Sequence, residues 1–434
     1  MSNLFWLLLD RAIRMAGGVL VSVWVARTLG PEEFGLLNYV ISLVAIFSVF
    51  STLGLESVVV KRILSLRESD GPDSVLKAVC STVLLRAIGS LLAIALIWLA
   101  SKLMVFGGRA QLDLRLWVLI WISAGLFFQS FDSIRHHYEA AGDSRSYVLP
   151  QLTSFFLTSA GRIYLILHRA SAEGFAFLIF LEALLSGIFL SIGFFSRLKE
   201  IGGMLPSKRE MVLLMRESWP LALSSVATLV YTKIDGVMIG NWMGNSELGL
   251  YSAALKVSEV WYFVPTVFST AFFPRLFLLF SNDRGAFEAK FQTLLRYLFL
   301  LSFGLSIVAT IFSEEIMQFL FGVQFVTAAP VLTIHIWTSI FVFMGVASSQ
   351  WYIMEGLNRL LFFRTAIGAI LNVALNCVLI PRFGSRGAAL ATLFTQAVAA
   401  LFADLAHPKS RRLYWIKISS IASCFSWLNP QRQK

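Results

Sequence analysis

The chain has 434 residues, of which 57% are hydrophobic and 14% charged, and it carries a formal net charge of +11. Soluble domains hold about 25% charged and about 45–50% apolar residues, so a water-soluble globule of this composition would expose far too much hydrocarbon. The composition excludes one and describes a polytopic membrane protein with short loops.

A membrane-crossing helix needs about 20 mostly apolar residues. In chain order, apolar periodic segments lie at 12–29, 36–60, 78–100, 116–134, 147–167 and 174–196. A second set follows at 219–242, 250–273, 297–313, 327–349, 361–380 and 387–405. Each must be helical, because hydrocarbon cannot hydrogen-bond an open backbone. The opening MSNLFWLLLDR has no basic region before its apolar stretch and no small-residue cleavage site. It therefore reads as an uncleaved anchor. Residues 406–434 form a basic tail with Lys409, Arg411, Arg412 and Lys417, expected either as a surface helix or as a disordered segment.

Loops on the side of the N-terminus carry 25 Lys and Arg, and loops on the opposite side carry 7. Arg86, Arg162, Lys233 and Lys256 fall inside spans. The positive-inside rule then places both termini in the cytoplasm. The whole positive charge belongs to that face, so it calls for no nucleic-acid partner. Cys80, Cys377 and Cys424 are far apart and the histidines show no ligand spacing. Neither a disulfide framework, a metal site nor a cofactor is expected.

The chain repeats itself at an offset of 214 residues. LGPEEFGLL (29–37) matches MGNSELGLY (243–251), aligning Gly30 with Gly244, Glu33 with Glu247 and Gly35 with Gly249. YEAAGDSR (138–145) matches YIMEGLNR (352–359), aligning Tyr138 with Tyr352 and Gly142 with Gly356. The expected fold is all-α: twelve transmembrane helices in two pseudo-two-fold-related six-helix bundles. The bundles fall at 1–200 and 219–405, joined by a cytoplasmic linker at 201–218 and followed by the tail. Parallel repeats of this kind build transporters with a site between the halves. At the first turn, Gly30 suits a left-handed helix end. Pro31 suits the start of the next helix, and Glu32 and Glu33 its positive dipole end.

Polar residues inside the spans follow helical spacing. Ser252, Lys256, Glu259, Thr266 and Thr270 share one face; subtracting the offset gives Asn38, Ser42, Ala45, Thr52 and Glu56. Ser224, Thr228, Tyr231 and Asp235 form a second stripe, matched by Asp10, Arg14 and Gly17. Gln151, Thr158, Arg162 and Arg169 form a third, matched by Thr365, Asn372 and Asn376. Stripes that recur in both halves favour a wet cavity over interhelical glue, since polar groups in hydrocarbon face protein or water. Arg14, Arg162 and Lys256 are then candidate anion contacts. Arg86 faces Thr82 but lies near the cytoplasmic end, where it can snorkel out. Lys233 points away from the Asp235 stripe and reaches the cavity only if its span is bent or unwound. Glu56, Asp235 and Glu259 are candidate cavity or ion-coupling acids.

ARTLGPEEFGLLNYVISLVAIFSVFSTLGLESVVVKRIL (26–64) resembles the start of the Wzx-type polysaccharide flippases of the multidrug/oligosaccharidyl-lipid/polysaccharide exporter superfamily. DGVMIGNWMGNSELGLYSAALKVSE (235–259) is similar to that family's second-half counterpart. The resemblance implies a V-shaped pair of six-helix bundles that moves an undecaprenyl-diphosphate-linked oligosaccharide across the bacterial inner membrane, for O-antigen, capsule or exopolysaccharide synthesis. It implies a cationic cavity, which Arg14, Arg86, Arg162, Lys233 and Lys256 would supply; Asp235 and Glu259 on the same faces depart from a purely cationic one. Its implied partners are the lipid-linked substrate, membrane lipids, a polysaccharide polymerase and a chain-length regulator. A drug exporter of the same superfamily is the nearest alternative. An enzyme such as a membrane polymerase or ligase is disfavoured, because the outer loops are too short to carry catalytic side chains and no catalytic motif is present.

Overall fold

The computed structural model describes residues 3–69, 71–106, 115–198 and 206–425, and every regular element among them is helical. The first elements are α1 (Asn3–Phe47), α2 (Val49–Thr52), α3 (Leu55–Ser69), α4 (Gly71–Phe106), α5 (Leu116–Gln129) and α6 (Ser133–Ala140). Next come α7 (Arg145–Leu167), α8 (Ala172–Leu198), α9 (Lys208–Met243), α10 (Asn245–Glu259), α11 (Phe263–Asn282) and α12 (Arg284–Ile311). The last are α13 (Ser313–Phe321), α14 (Ala329–His335), α15 (Thr338–Met354), α16 (Asn358–Ala400) and α17 (Pro408–Phe425). Among the described residues, eight helices are long and apolar enough to cross a membrane, or nine if the pair Val323–His335 and Thr338–Met354, bent by 47°, is one span. Two of them, Phe5–Glu68 and Arg359–Ala406, each contain two of the expected spans. The expected span at 147–167 is helical, as α7, but is not one of these eight. Side chains such as Ile192, Ile311 and Ile370 stay exposed on these helices, as suits a protein whose solvent is lipid.

The chain packs as two compact units, Met1–Gly249 and Leu250–Lys434. Helix α9 packs against α1, α3 and α4 inside the first. The packing boundary therefore falls at the second copy of the repeated turn.

That turn is where the repeat becomes physical. Gly30 has positive φ as expected, but at φ 72° and ψ 174° it lies in an extended-ψ region rather than the left-handed helical well. Essentially only glycine occupies that region. Gly244, its counterpart, has φ 90° and ψ 176°. The second matched pair agrees too, with φ of 66° at Gly142 and 70° at Gly356. The two copies of the turn also touch reciprocally. A Cβ on Gly35 would collide with the Asn245 carbonyl oxygen, and a Cβ on Gly249 with that of Pro31. Because 245 and 249 are 31 and 35 plus 214, this is the contact a local two-fold axis demands. Glu33 does more than favour a helix dipole: it pairs with Arg115 before α5 and accepts the Ala172 N–H at 3.1 Å at the start of α8.

The segment 36–60, expected as one span, is broken. Helix α1 ends at Phe47, α2 adds one turn, and Leu53 and Gly54 take φ of 51° and 65° before α3 begins. A break inside a span strands backbone carbonyls. Arg86 meets that need, donating from Nε to the Ser51 carbonyl at 3.2 Å and from a terminal nitrogen to Ser133 Oγ at 3.4 Å. Its side chain is buried. Arg86 therefore turns inward to hold the break instead of snorkelling to the surface.

The second unit is built on Phe287, Phe291, Phe343, Trp351 and Tyr352, joined by Leu413, Ile416 and Cys424 from α17. The tail is thus a docked helix. Ser410, Leu413, Lys417, Ser420 and Cys424 are all buried at alternating steps of three and four, the spacing that keeps one helical face inward. Lys409, Arg411, Arg412 and Trp415 stay outside. Lys417, which composition alone groups with the solvated basic residues, is the exception. It is completely buried and binds Asp404 Oδ2 at 2.6 Å and the Ala400 carbonyl at 2.5 Å. Tyr352 completes the network by donating to Asp404 Oδ1 at 2.7 Å.

Candidate functional site

Two cavities within the first unit are lined in part by residues of the expected stripes. The larger, about 490 Å³, lies between the broken segment at 48–57 and α9. Ser48, Thr52, Gly54, Glu56 and Ser57 form one wall; Leu221, Ser224, Ser225, Thr228 and Leu229 form the other. The stripe holding Thr52 and Glu56 and the stripe holding Ser224 and Thr228 thus face a common space. The break at Leu53 and Gly54, with φ of 51° and 65°, lies within this wall.

The hydroxyl groups here are mostly committed as donors. Ser48 Oγ donates to the Ala45 carbonyl at 2.7 Å and Thr52 Oγ1 to that of Val49 at 3.4 Å. On α9, Ser224, Ser225 and Thr228 donate to the carbonyls of Pro220, Leu221 and Ser224 at 3.3, 3.1 and 3.0 Å. A hydroxyl has one hydrogen and two lone pairs, so each of these groups keeps acceptor capacity after bonding to its own helix.

The smaller cavity, about 250 Å³, is lined by Arg14, Gln129, Asp132, Gln151, Ile179, Glu182, Ala183 and Ser186. Arg14 lies 4.0 Å from Asp10 on its own helix. Arg162 holds Glu182 at 2.6 Å, and Thr158 Oγ1 donates to the same carboxylate at 3.3 Å. Its charge is thus already matched by an acid on α8. Glu182 is the functional-looking residue that stripe counting missed. Its signal was a lone carboxylate in the apolar run AFLIFLEALLSG, read only against α7 once the two helices are known to pack together.

The remaining candidates separate. Lys233 sits on α9, which runs as one helix from Lys208 to Met243, and it lines neither cavity. The helix is continuous through Lys233, so no unwinding redirects it. Asp235 is buried and accepts the Gly236 N–H at 2.7 Å. Lys256 and Glu259 belong to the second unit, on exposed positions of α10. In that unit Asn376 donates to Asn372 at 2.9 Å, and Asn372 to Thr392 at 3.5 Å. The expected Asn stripe therefore joins the two halves of α16 across Gly384. No group of three or more His, Cys, Asp or Glu side chains suited to a metal ion occurs among the described residues.

A family model described as "Polysaccharide biosynthesis protein" matches residues 1–280, and one described as MatE matches residues 220–378. A probable low-salt glycan biosynthesis flippase of Haloferax volcanii is 25% identical over 388 residues, covering 86% of this chain and 76% of that one. A capsular polysaccharide biosynthesis protein of Staphylococcus aureus is 22% identical over 390 residues, covering 88% of this chain and 92% of that one. Among solved structures, the lipid II flippase MurJ in its inward closed conformation superposes with a TM-score of 0.71 at 15% identity, covering 98% and 93% of the two chains. An inward-facing multidrug resistance MATE family transporter gives 0.69 at 15% identity, covering 97% and 100%. At these identities the structural likeness establishes a shared fold.

Proposed function

Because the chain belongs to the polysaccharide biosynthesis protein family, we propose that it is a flippase for a lipid-linked glycan. In this reading the substrate is an undecaprenyl-diphosphate-linked oligosaccharide repeat unit. It moves from the cytoplasmic to the periplasmic leaflet of a bacterial inner membrane, for O-antigen, capsule or exopolysaccharide synthesis. Both termini lie in the cytoplasm, and a polymerase and a chain-length regulator act on the product. The two bundles, 1–200 and 219–405, rock about the repeated turn to alternate access.

The observation that carries the reading is a cavity of about 490 Å³ whose lining includes five Ser and Thr side chains committed to their own helices, Ser57 and Glu56, among largely apolar helices. A sugar cannot cross about 30 Å of hydrocarbon unaided, and a hydroxyl-lined space replaces part of its hydration while the lipid tail stays in the bilayer. Arg14 and Lys256 are the proposed contacts of the diphosphate, whereas Arg162 acts through Glu182 and Arg86 through the span break. Asp235 is assigned a structural role, and Glu259 remains the proposed coupling acid. The MatE match over residues 220–378 supports a second reading, export of an organic cation.

Loss of the protein should trap lipid-linked repeat units on the cytoplasmic face. Leaflet-resolved labelling of those lipids in depleted cells checks this expectation. An unchanged distribution across the two leaflets would remove the flippase reading.

A further inference from the structure

The larger cavity has a one-sided hydrogen-bonding character. Its lining residues hold one carboxylate, Glu56, and no basic side chain among the described residues. Ser48, Thr52, Ser224, Ser225 and Thr228 each spend their hydrogen on a backbone carbonyl of their own helix. What these five groups keep for a ligand is a set of lone pairs, and an ionised carboxylate likewise only accepts; Ser57 is the one further hydroxyl in the lining among the described residues. A wall made mostly of acceptors selects a ligand rich in donors. It repels a phosphate, which brings acceptors and negative charge.

We propose that this cavity is a sugar subsite that reads the hydroxyl groups of an uncharged glycan, with Glu56 taking a pair of neighbouring hydroxyls. The inference rests on the flippase reading and adds the class of sugar. Leu221 and Leu229 offer apolar surface to the C–H faces of a ring, and Gly54 lets the backbone of α9 at Leu221 and Ala222 close against the break. The volume falls within the range of about 300–1,000 Å³ found for small-molecule sites. No aromatic ring lines the cavity among the described residues, which counts against an organic cation, since such ligands are held by ring faces as well as by charge. An acidic sugar is disfavoured by the Glu56 carboxylate. The diphosphate accordingly binds elsewhere, and one substrate is divided between a donor-reading subsite and a separate basic contact.

The test uses the full chain in lipid nanodiscs and three probes. These are undecaprenyl diphosphate, the same lipid bearing a neutral galactose-containing disaccharide, and the same lipid bearing a disaccharide with glucuronic acid. The neutral glycolipid is expected to bind about tenfold more tightly than the bare lipid, the gain of a charge-assisted hydrogen-bond pair, and more tightly than the acidic one. Glu56→Ala should abolish that preference and leave affinity for the bare lipid unchanged. Ser224→Ala and Thr228→Val should each weaken neutral-glycolipid binding by about threefold. Glu56→Gln, which keeps the shape of the side chain, repeats the test if Glu56→Ala fails to fold; it should weaken the preference. A preference that survives both Glu56 variants overturns the subsite. So does a wild-type protein that binds all three lipids equally, an outcome that leaves the flippase reading standing. A wild-type protein that binds none of them overturns both.

Discussion

Gly35→Val and Gly249→Val are expected to be among the most damaging single substitutions in the protein. Each new side chain would enter the crossing of the two repeated turns, where the nearest atoms are the backbone carbonyls of Asn245 and Pro31. A side chain can change rotamer to make room, but a backbone carbonyl moves only if its helix moves. Overpacking of a tight site costs about 1–3 kcal/mol, and backbone neighbours on both sides put these positions at or above the upper end. Gly304→Ala is the matched control: Gly304 lies within α12 with open space around the added Cβ. Alanine favours a helix over glycine by about 1 kcal/mol, so this variant should hold or slightly raise the melting temperature. Thermal unfolding of the three detergent-solubilised variants checks the claim. Equal melting temperatures for Gly35→Val and wild type would mean that the reciprocal contact is not tightly closed.

Lys417→Met should release the C-terminal helix. Lys417 and Asp404 are both fully buried at 2.6 Å. Removing the lysine leaves a carboxylate in the core with the Tyr352 hydroxyl as its remaining side-chain hydrogen-bond partner among the described residues. Breaking a buried pair from one side costs about 3–5 kcal/mol, enough to undock α17. Cys424, buried on the inward face of the same helix, then becomes reactive to a maleimide in a background where Cys80 and Cys377 are serine. Asp404→Asn combined with Lys417→Met removes both charges and should recover much of the loss. Burial also pulls the Lys417 ammonium down from 10.5 to about 8, against the opposing pull of Asp404. Between about pH 8 and pH 10.5 the unfolded chain therefore holds more protons than the folded one, so the contribution of Lys417 to stability rises with pH across that window. The Lys417→Met variant should lack this rise. A flat wild-type profile, or a Cys424 that stays protected in the variant, would contradict the account.

The helical fold was legible because hydrocarbon allows a backbone few choices, and the long apolar segments announce themselves. The repeat was legible for a different reason. Gly30, Gly35, Gly244 and Gly249 stand where any side chain meets a forbidden φ or a backbone carbonyl, so the constraint is written in residue identity. What escaped depends on partners distant in sequence. Glu182 gains meaning only beside Arg162, and Lys417 only beside Asp404, contacts set by helix packing that periodicity does not encode. The break at Leu53 and Gly54 was hidden for a related reason, because its carbonyls are satisfied by Arg86 from another helix. Thr52 and Glu56 line one wall and Ser224 and Thr228 the other, but the meeting of those two walls is set by helix packing, which spacing along one helix does not encode.

Transbilayer movement by the purified protein tests the central claim most directly. The protein is reconstituted into liposomes carrying a fluorescent undecaprenyl-diphosphate-linked oligosaccharide in both leaflets, and a membrane-impermeant glycosidase is added outside. The account predicts that the pool protected in the inner leaflet becomes accessible in protein-containing vesicles and stays protected in empty ones. A protected pool that persists in both, while the same vesicles move an organic cation, would contradict it and assign the chain to cation export.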